Sequence, residues 1–497
     1  MARDEYERER LANVHPAGWR NPQPSGRYTL VVVGAGSAGL VAAHGAAAFG
    51  AKVAIIERAS LGGDCLNVGC VPSKTLIRTS RVYAEMRDAE RYGARAQETV
   101  RTDFPAAMQR MRRIRARISG ADSVRRLTAA GVDVYFGQAV FTGLDSLVVD
   151  GTQLRFKKAI IATGSRPATP SIPGLAEVGY LTNENVFDLN ELPRRLMVIG
   201  GGPLGCELAQ AFCRFGAQTT IVQDWPLFLP AEERDAAQIL SDSMARDGIE
   251  VRLNTTATRV RVEQGDTLVD LICDDCKTTA VVDAILTGIG RVPNVEGLNL
   301  EAAGVDYDGT VGIRVDDFLR TTNRRVYAAG DACLERQFTH TAEASARIAV
   351  RNALFLGRQR LSTLTIPWCT YTDPEIAHVG LYVRQARERG IPIKTFTIPM
   401  HEVDRAIADA EEEGFVKIHV QERSDRILGA TIVARHAGEM INELTLAMVA
   451  GIGLGELARV IHVYPTQADA IKQAADAYNR TRLTPMVRAL ARRWLAL

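Results

Sequence analysis

Gly62-Gly63-Asp64-Cys65-Leu66-Asn67-Val68-Gly69-Cys70-Val71-Pro72-Ser73-Lys74 is the stretch around which the rest of the chain is organised. Its two cysteines, with four residues between them, can close a small reducible ring. A bare C-x4-C says little, because buried free cysteines are common and chemically quiet. Here the pair follows Gly-Gly, precedes Pro-Ser-Lys and comes shortly after a nucleotide-binding signature.

That signature opens with an apolar strand from Tyr28, Leu30-Val31-Val32-Val33, which runs into Gly34-Ala35-Gly36-Ser37-Ala38-Gly39 and an alanine-rich segment. Gly34 and Gly36 permit a tight turn and close approach of the backbone to a pyrophosphate. Gly39 lets helix and strand pack, and the helix N-terminus, with Ser37 and Ala38, supplies amide donors. A second strand, Val53-Ala54-Ile55-Ile56, ends at Glu57, placed to accept from a ribose hydroxyl pair. The pattern recurs at Leu196-Met197-Val198-Ile199 followed by Gly200-Gly201-Gly202-Pro203-Leu204-Gly205. Two dinucleotide motifs in one chain imply two dinucleotide cofactors.

From about Tyr28 to about Tyr478 the sequence resembles the pyridine nucleotide-disulfide oxidoreductases, the family of lipoamide dehydrogenase, glutathione reductase and mercuric reductase. The resemblance implies an α/β chain with two Rossmann-like dinucleotide-binding domains, for FAD and for NAD(P)H, plus a C-terminal α+β dimerisation domain. Expected boundaries are an N-terminal arm (1–27), the FAD-binding domain in two parts (28–165 and 287–360), the NAD(P)H-binding domain (166–286), the interface domain (361–478) and a basic tail (479–497). FAD and NADH or NADPH are the implied cofactors, and the protein is expected to be a homodimer. By the same resemblance Cys70 contacts the flavin, Cys65 is the exchanging thiol, and Glu207 pairs with Lys74 behind the isoalloxazine. Lys158-Ala159-Ile160-Ile161-Ala162-Thr163-Gly164 resembles the strand end leaving the FAD domain. Val326-Tyr327-Ala328-Ala329-Gly330-Asp331-Ala332 resembles the second FAD fingerprint, with Asp331 on the ribityl chain. Gly63, Asp64, Lys74, Thr163, Gly164 and Gly290 join the expected cofactor contacts. At the second site these are Gly200, Gly202, Gly205 and Gln223. The pair Gln223-Asp224 has no arginine beside it, and a carboxylate there would repel a 2′-phosphate, which leans toward NADH.

The sequence departs from the family at two places. Disulfide reductases carry a His-Pro-Thr stretch with a downstream glutamate, the histidine serving as acid/base. This chain reads His462-Val463-Tyr464-Pro465-Thr466-Gln467-Ala468-Asp469. Tyr464 stands in the base's place and Asp469 in the acid's. A phenol of ordinary pKa ~10 cannot cycle protons near neutrality as an imidazole of ~6.5 can. His462 lies two residues away, a displacement of roughly 6–7 Å along an extended segment. Mercuric reductase similarly has tyrosine there, and soft thiolates select soft ions. Its C-terminal cysteine pair has no counterpart after Cys369, so that match is incomplete. Asp64 is the second departure, where relatives have threonine; a carboxylate beside Cys65 raises the thiol pKa unless other donors hold it.

The expected function is therefore NAD(P)H-dependent, FAD-mediated reduction of a metal ion or other small acceptor through Cys65 and Cys70. The alternatives are reduction of a low-molecular-weight disulfide, and a flavin-bearing redox sensor or membrane-associated binding protein with little turnover. No residue is assigned to a resident metal.

The remaining chain bounds these readings. At 497 residues it exceeds one core of about 100–200 residues. Its 60 Lys+Arg against 58 Asp+Glu leave a formal charge of +2, with no basic field for nucleic acid. The N-terminus is charged rather than apolar and eight cysteines do not make a secreted framework, so a cytoplasmic location is expected. Residues 1–27 are expected to pack as an arm on their own subunit. The segment from Thr75 to Leu127 is expected to be helical, and Cys206 and Cys213 to be core thiols. Cys273-Asp274-Asp275-Cys276 sits at the turn of an expected hairpin whose second strand is Thr278 to Leu286, with the thiols reduced and idle. At the tail, Thr484-Pro485 opens a basic amphipathic helix with Leu483, Val487, Leu490, Trp494 and Leu497 on one stripe. Packing on the protein's own dimer is its leading expectation, and an anionic membrane surface the alternative.

Overall fold

The strand Tyr28–Val33 lies inside a parallel sheet and has no solvent face, which is why its apolar run is continuous rather than alternating. Leu30 and Val32 face one core, with the helix Ser37–Ala48 and the helix Thr339–Leu354, while Val31 and Val33 face another on the opposite side. The computed structural model describes residues 4–95, 100–274 and 276–496. In its first sheet the parallel order is Val132–Phe136, Val53–Glu57, Tyr28–Val33, Thr152–Ile161, and Val326–Ala328 adds beside the last of these. The chain therefore leaves this sheet after Ile161 and returns to it at Val326.

Between those points a second parallel sheet forms from Glu250–Arg252, Gln218–Val222, Arg195–Ile199 and Ala284–Thr287. It repeats the logic of the first: Leu196 and Val198 face one core, Met197 and Ile199 the other. An antiparallel layer, Thr255–Glu263, Asp266–Cys273 and Cys276–Val282, is attached to it. The expected return strand from Thr278 to Leu286 is thus two strands. Residues 276–282 complete the hairpin, and Ala284–Thr287 crosses to pair with Arg195–Ile199. Cys273 and Cys276 are directly paired and both free, and Asp275 lies outside the described residues.

The third sheet is antiparallel, in the order Pro367–Thr370, Glu375–Gly380, Ile427–Ala434, Phe415–Gln421, Ile393–Pro399, and is covered by the helices Ala437–Ala450 and Asp469–Thr481. The Thr75 to Leu127 region carries the helices Cys70–Arg87, Phe104–Ser119 and Val124–Ala129, with residues 96–99 outside the described set. Cys206 is buried and Cys213 half-buried on the helix Pro203–Phe215. At the tail the helix Pro485–Leu495 starts on Thr484, whose hydroxyl accepts from Val487 N, and buries none of its residues in its own chain. Residues 1–3 and 497 lie outside the described residues. Among the described residues no helix is long and apolar enough to cross a membrane.

Candidate active site

The redox stretch is pressed against the first glycine turn. Gly63 has φ 55°, and a Cβ placed on it would stand 2.6 Å from the Cα of Gly36, so only glycine fits. Cys65 lies on the short helix Gly63–Asn67, and Cys70 opens the helix Cys70–Arg87. Both are free thiols, hydrogen-bonded to each other. Cys70 Sγ is also 3.5 Å from the hydroxyl of Thr339, at the start of the helix Thr339–Leu354. The bond from Cys65, aided by the Lys74 ammonium, lowers the Cys70 pKa against the opposing effect of desolvation by neighbouring groups. The same bond, with burial, raises that of Cys65.

Asp64 meets the condition under which it would not raise the Cys65 pKa. Its carboxylate is held by Arg291 Nη2, so it is paired rather than directed at Cys65. Arg291 Nε also donates to Ser165 Oγ (2.7 Å), and Ser165 Oγ donates to Asp331 Oδ2 (2.7 Å). This chain of bonds joins the redox stretch, the exit from the first sheet and the segment Gly330–Ala332 that follows its last strand. Burial raises the pKa of Asp331, with Ser165 and Arg291 working against it. Arg291, Ser165 and Thr339 are site residues that motif reading passed over. Arg291 directly follows Gly290, an expected cofactor contact, but that adjacency does not mark its bond to Asp64.

The residues present fit a dinucleotide at each turn. Gly36 and Gly202 cap their helices without a side chain, so no side-chain acceptor occupies the first-turn amides. A Cβ on Gly39 would lie 1.9 Å from Gly34 O, and one on Gly205 would lie 2.1 Å from Gly200 O, which is the close helix–strand contact each fold needs. Glu57 Oε2 accepts from Ala35 N at 2.8 Å, and Gln223 Oε1 accepts from Gly201 N at 2.6 Å, the same relation in both folds. Burial raises the Glu57 pKa, while the amides of Ala59 and Ala35 oppose the rise. Gly34, Glu57 and Thr163 line a small cavity at the first turn. Gly200, Gly202, Gln223, Asp224, Trp225 and Gly290 line a cleft of about 690 Å³ at the second. Thr163 Oγ1 donates to Asn294 O (2.6 Å) and Asn294 N donates to Gly164 O (2.9 Å), tying exit and return segments together.

Tyr464 and Asp469 are not brought to the thiols by their own chain. Tyr464 is 68% exposed, and its hydroxyl donates to Asp404 Oδ2 at 2.7 Å. Asp469 begins the helix Asp469–Thr481 and accepts from Gln473 Nε2. His462 has both ring nitrogens engaged, Nε2 with Glu443 Oε1 at 2.9 Å and Nδ1 with Val460 O at 3.3 Å.

Residues 28–347 match the family model described as pyridine nucleotide-disulphide oxidoreductase, and residues 366–475 match that family's dimerisation domain. The chain is 34% identical over 455 residues to a mercuric reductase of Bacillus cereus, covering 91% of this chain and 72% of that one. It is 34% identical over 451 residues to a dihydrolipoyl dehydrogenase of Geobacillus stearothermophilus, with 90% and 95% covered. Among solved structures, the HOCl-induced flavoprotein disulfide reductase RclA of Escherichia coli has a TM-score of 0.81 at 30% identity, with 90% of this chain and 99% of that one covered. FAD and NAD(P)H are the cofactors, and the protein is an oxidoreductase. Two glycine turns, the thiol pair between them and the matching dimerisation domain place this chain in the pyridine nucleotide-disulphide oxidoreductase family.

Proposed function

We propose that the protein is an NAD(P)H-dependent flavoprotein reductase of the mercuric reductase type, using Cys65 and Cys70 to reduce a metal ion or another small acceptor. FAD, when bound, supplies the two-electron relay between the nicotinamide and the thiol pair. Gly34 and Gly36 would seat the pyrophosphate, with Gly39 packing helix on strand, while Glu57 would hold the ribose and Asp331 the ribityl chain. Cys70, with its lowered pKa, is the thiolate beside the flavin, and Lys74 supplies the positive charge next to it. Cys65 is the thiol that meets the acceptor.

The observation that carries this reading is the state of Tyr464. Its phenol donates to Asp404, and that bond raises its pKa above the ordinary value. A group so placed is a poor proton shuttle at neutral pH, so an acceptor that demands little proton transfer is favoured. Several relatives are named mercuric reductases, and RclA has also been solved as a Cu(II) complex, at 28% identity and TM-score 0.81. A thiol pair that loses its protons on binding suits a soft ion such as Hg(II).

The second reading, reduction of a low-molecular-weight disulfide, has the dihydrolipoyl dehydrogenase relatives behind it. It needs a base, and His462 has its two ring nitrogens committed to Glu443 and Val460 within its own chain. A homodimer goes with either reading: Ile461 and Val463, next to Tyr464 in the chain, are 95% and 76% exposed, apolar surface that a second copy would cover. In that arrangement Tyr464 serves the partner's thiols. Anaerobic and aerobic oxidation of NADH and NADPH against a panel of Hg(II), Cu(II), glutathione disulfide, lipoamide and quinones tests the proposal. Efficient turnover of the disulfides alone would overturn it.

A further inference from the structure

Residues 4–27 precede the part of the chain that matches the family model, yet they reach the redox stretch. The helix Glu5–Val14 starts on Asp4, whose carboxylate accepts from Glu7 N at 2.8 Å, and it lies along the helix Phe104–Ser119. Its last residue, Val14, is fully buried with Leu61 and Leu66. The carbonyl of Val14 accepts the Leu61 amide at 3.0 Å, just ahead of Gly62. At the far end of the redox helix, Asn67 Nδ2 donates to the carbonyls of Leu61 and Gly63, both at 2.9 Å. Asn67 Oδ1 accepts from Arg10 of the arm, and the Asn67 carbonyl accepts from Arg115 Nη1 at 2.8 Å. Arg10 and Arg115 both donate to Glu7 Oε2, each at 3.1 Å.

Cys65 therefore sits in a five-residue helix fastened to the arm before its start, through Leu61, and at its end, through Asn67. A helix that short has no stability of its own, because nucleation is unfavourable. Its direction is set by the bonds at its ends. The one from Arg10 is charge-assisted, and only 12% of the Arg10 side chain is exposed. Arg10 and Glu7 thus act on the loop through Asn67 rather than on any substrate.

We propose that the N-terminal arm is a positioning element for Cys65, with Arg10, through Asn67, holding the thiol in register with Cys70 and limiting its exposure to electrophiles. This rests on the redox role proposed above for the pair. The arm's extended part is anchored elsewhere, by Trp19 Nε1 donating to Val134 O at 3.2 Å, which provides a control for stability alone.

The test uses FAD-loaded protein reduced anaerobically with two electrons. It measures the rate at which iodoacetamide alkylates Cys65, assigned by peptide mass, and the long-wavelength absorbance of a thiolate against flavin. Arg10→Met should raise the alkylation rate at least fivefold and shift that absorbance, while Arg10→Lys, which keeps a donor for Asn67, should stay within twofold of the unmodified protein. Trp19→Phe should lower the melting temperature without changing the Cys65 rate. Should Arg10→Met fail to fold with FAD, Glu7→Gln replaces it, loosening Arg10 with the same expected rise. An unchanged rate in these variants, or an equal rise in Trp19→Phe, overturns the proposal. Absence of the long-wavelength band from the unmodified protein would defeat the proposed function and this inference with it. A normal band with an Arg10-insensitive Cys65 defeats this inference alone.

Discussion

The ammonium of Lys74 lies 2.7 Å from Glu207 Oε2, joining the helix that begins at Cys70 to the helix behind the second glycine turn. The other carboxylate oxygen accepts from Tyr371 N at 2.9 Å, and the ammonium sits 4.6 Å from the centre of the Tyr371 ring. One ion pair thus gathers segments belonging to all three sheets. Burial alone would depress the Lys74 pKa, but Glu207 and Cys70 outweigh it and the net change is upward.

Lys74→Met should therefore leave a carboxylate that is 5% exposed without its counter-charge. The expected loss is about 3 kcal/mol, the lower end for a broken buried pair, because 35% of the Lys74 side chain is exposed. A raised folded pKa means the pair's contribution is fully present below the ordinary lysine value of ~10.4 and is lost as pH climbs through the folded value. Urea midpoints of the two proteins should therefore differ at pH 8 and converge in the alkaline range. A difference that grows with pH would count against the pairing.

Cys70 carries the second prediction. Its pKa is lowered first by the bond from Cys65 and then by Lys74, so the thiolate should persist below the ordinary thiol value of ~8.5. Two-electron reduction of the FAD-loaded protein should give a long-wavelength band at neutral pH. Cys70→Ser should abolish the band and leave FAD bound, and Cys65→Ala, which removes the hydrogen-bond donor, should move its titration upward. A band that survives in Cys70→Ser refutes the assignment.

These relationships differ in how far they could be seen in the amino-acid order. The glycine turns and the thiol pair each belong to a short contiguous motif, so local sequence carries them, whereas the Lys74–Glu207 pair spans 133 positions and was expected only from the family resemblance. Arg291 clamps Asp64 across 227 positions, and no local pattern marks that contact. It removes the concern that Asp64 acts on Cys65. Gln223 Oε1 accepts from Gly201 N as Glu57 Oε2 accepts from Ala35 N, a shared geometry that the different residue types do not announce. The segment after Cys276 reads as one apolar run because both of its halves are strands, and only the pairing partners divide it.

The nucleotide cleft yields the third prediction. Beside Gln223, the exposed Asp224 and Trp225 are side chains at the strand end that line the cleft. An acid there favours a free 2′-hydroxyl. NADH should be used with the higher kcat/KM, and Asp224→Arg should shift the NADPH/NADH ratio of kcat/KM at least tenfold toward NADPH. A ratio that stays fixed in that variant would show that specificity is set elsewhere in the cleft.

Tyr464 gives the last prediction. Its phenol is held by Asp404, and that bond raises its pKa, with the Asp404 and Asp469 charges adding to the rise. Proton transfer by a well-matched acid/base is worth about 10²–10⁴ in rate, so disulfide substrates should turn over slowly in the unmodified protein. Tyr464→His should raise kcat for glutathione disulfide or lipoamide at least tenfold and add an ionisation near the histidine value of ~6.5 to the pH profile. Metal-ion reduction should change less than threefold, because it does not need that proton. Steady-state assays of both acceptor classes from pH 5.5 to 9 separate the cases. If the unmodified protein already reduces disulfides efficiently near pH 7, then Tyr464 is not the limiting group, and the preference for a metal ion loses its basis.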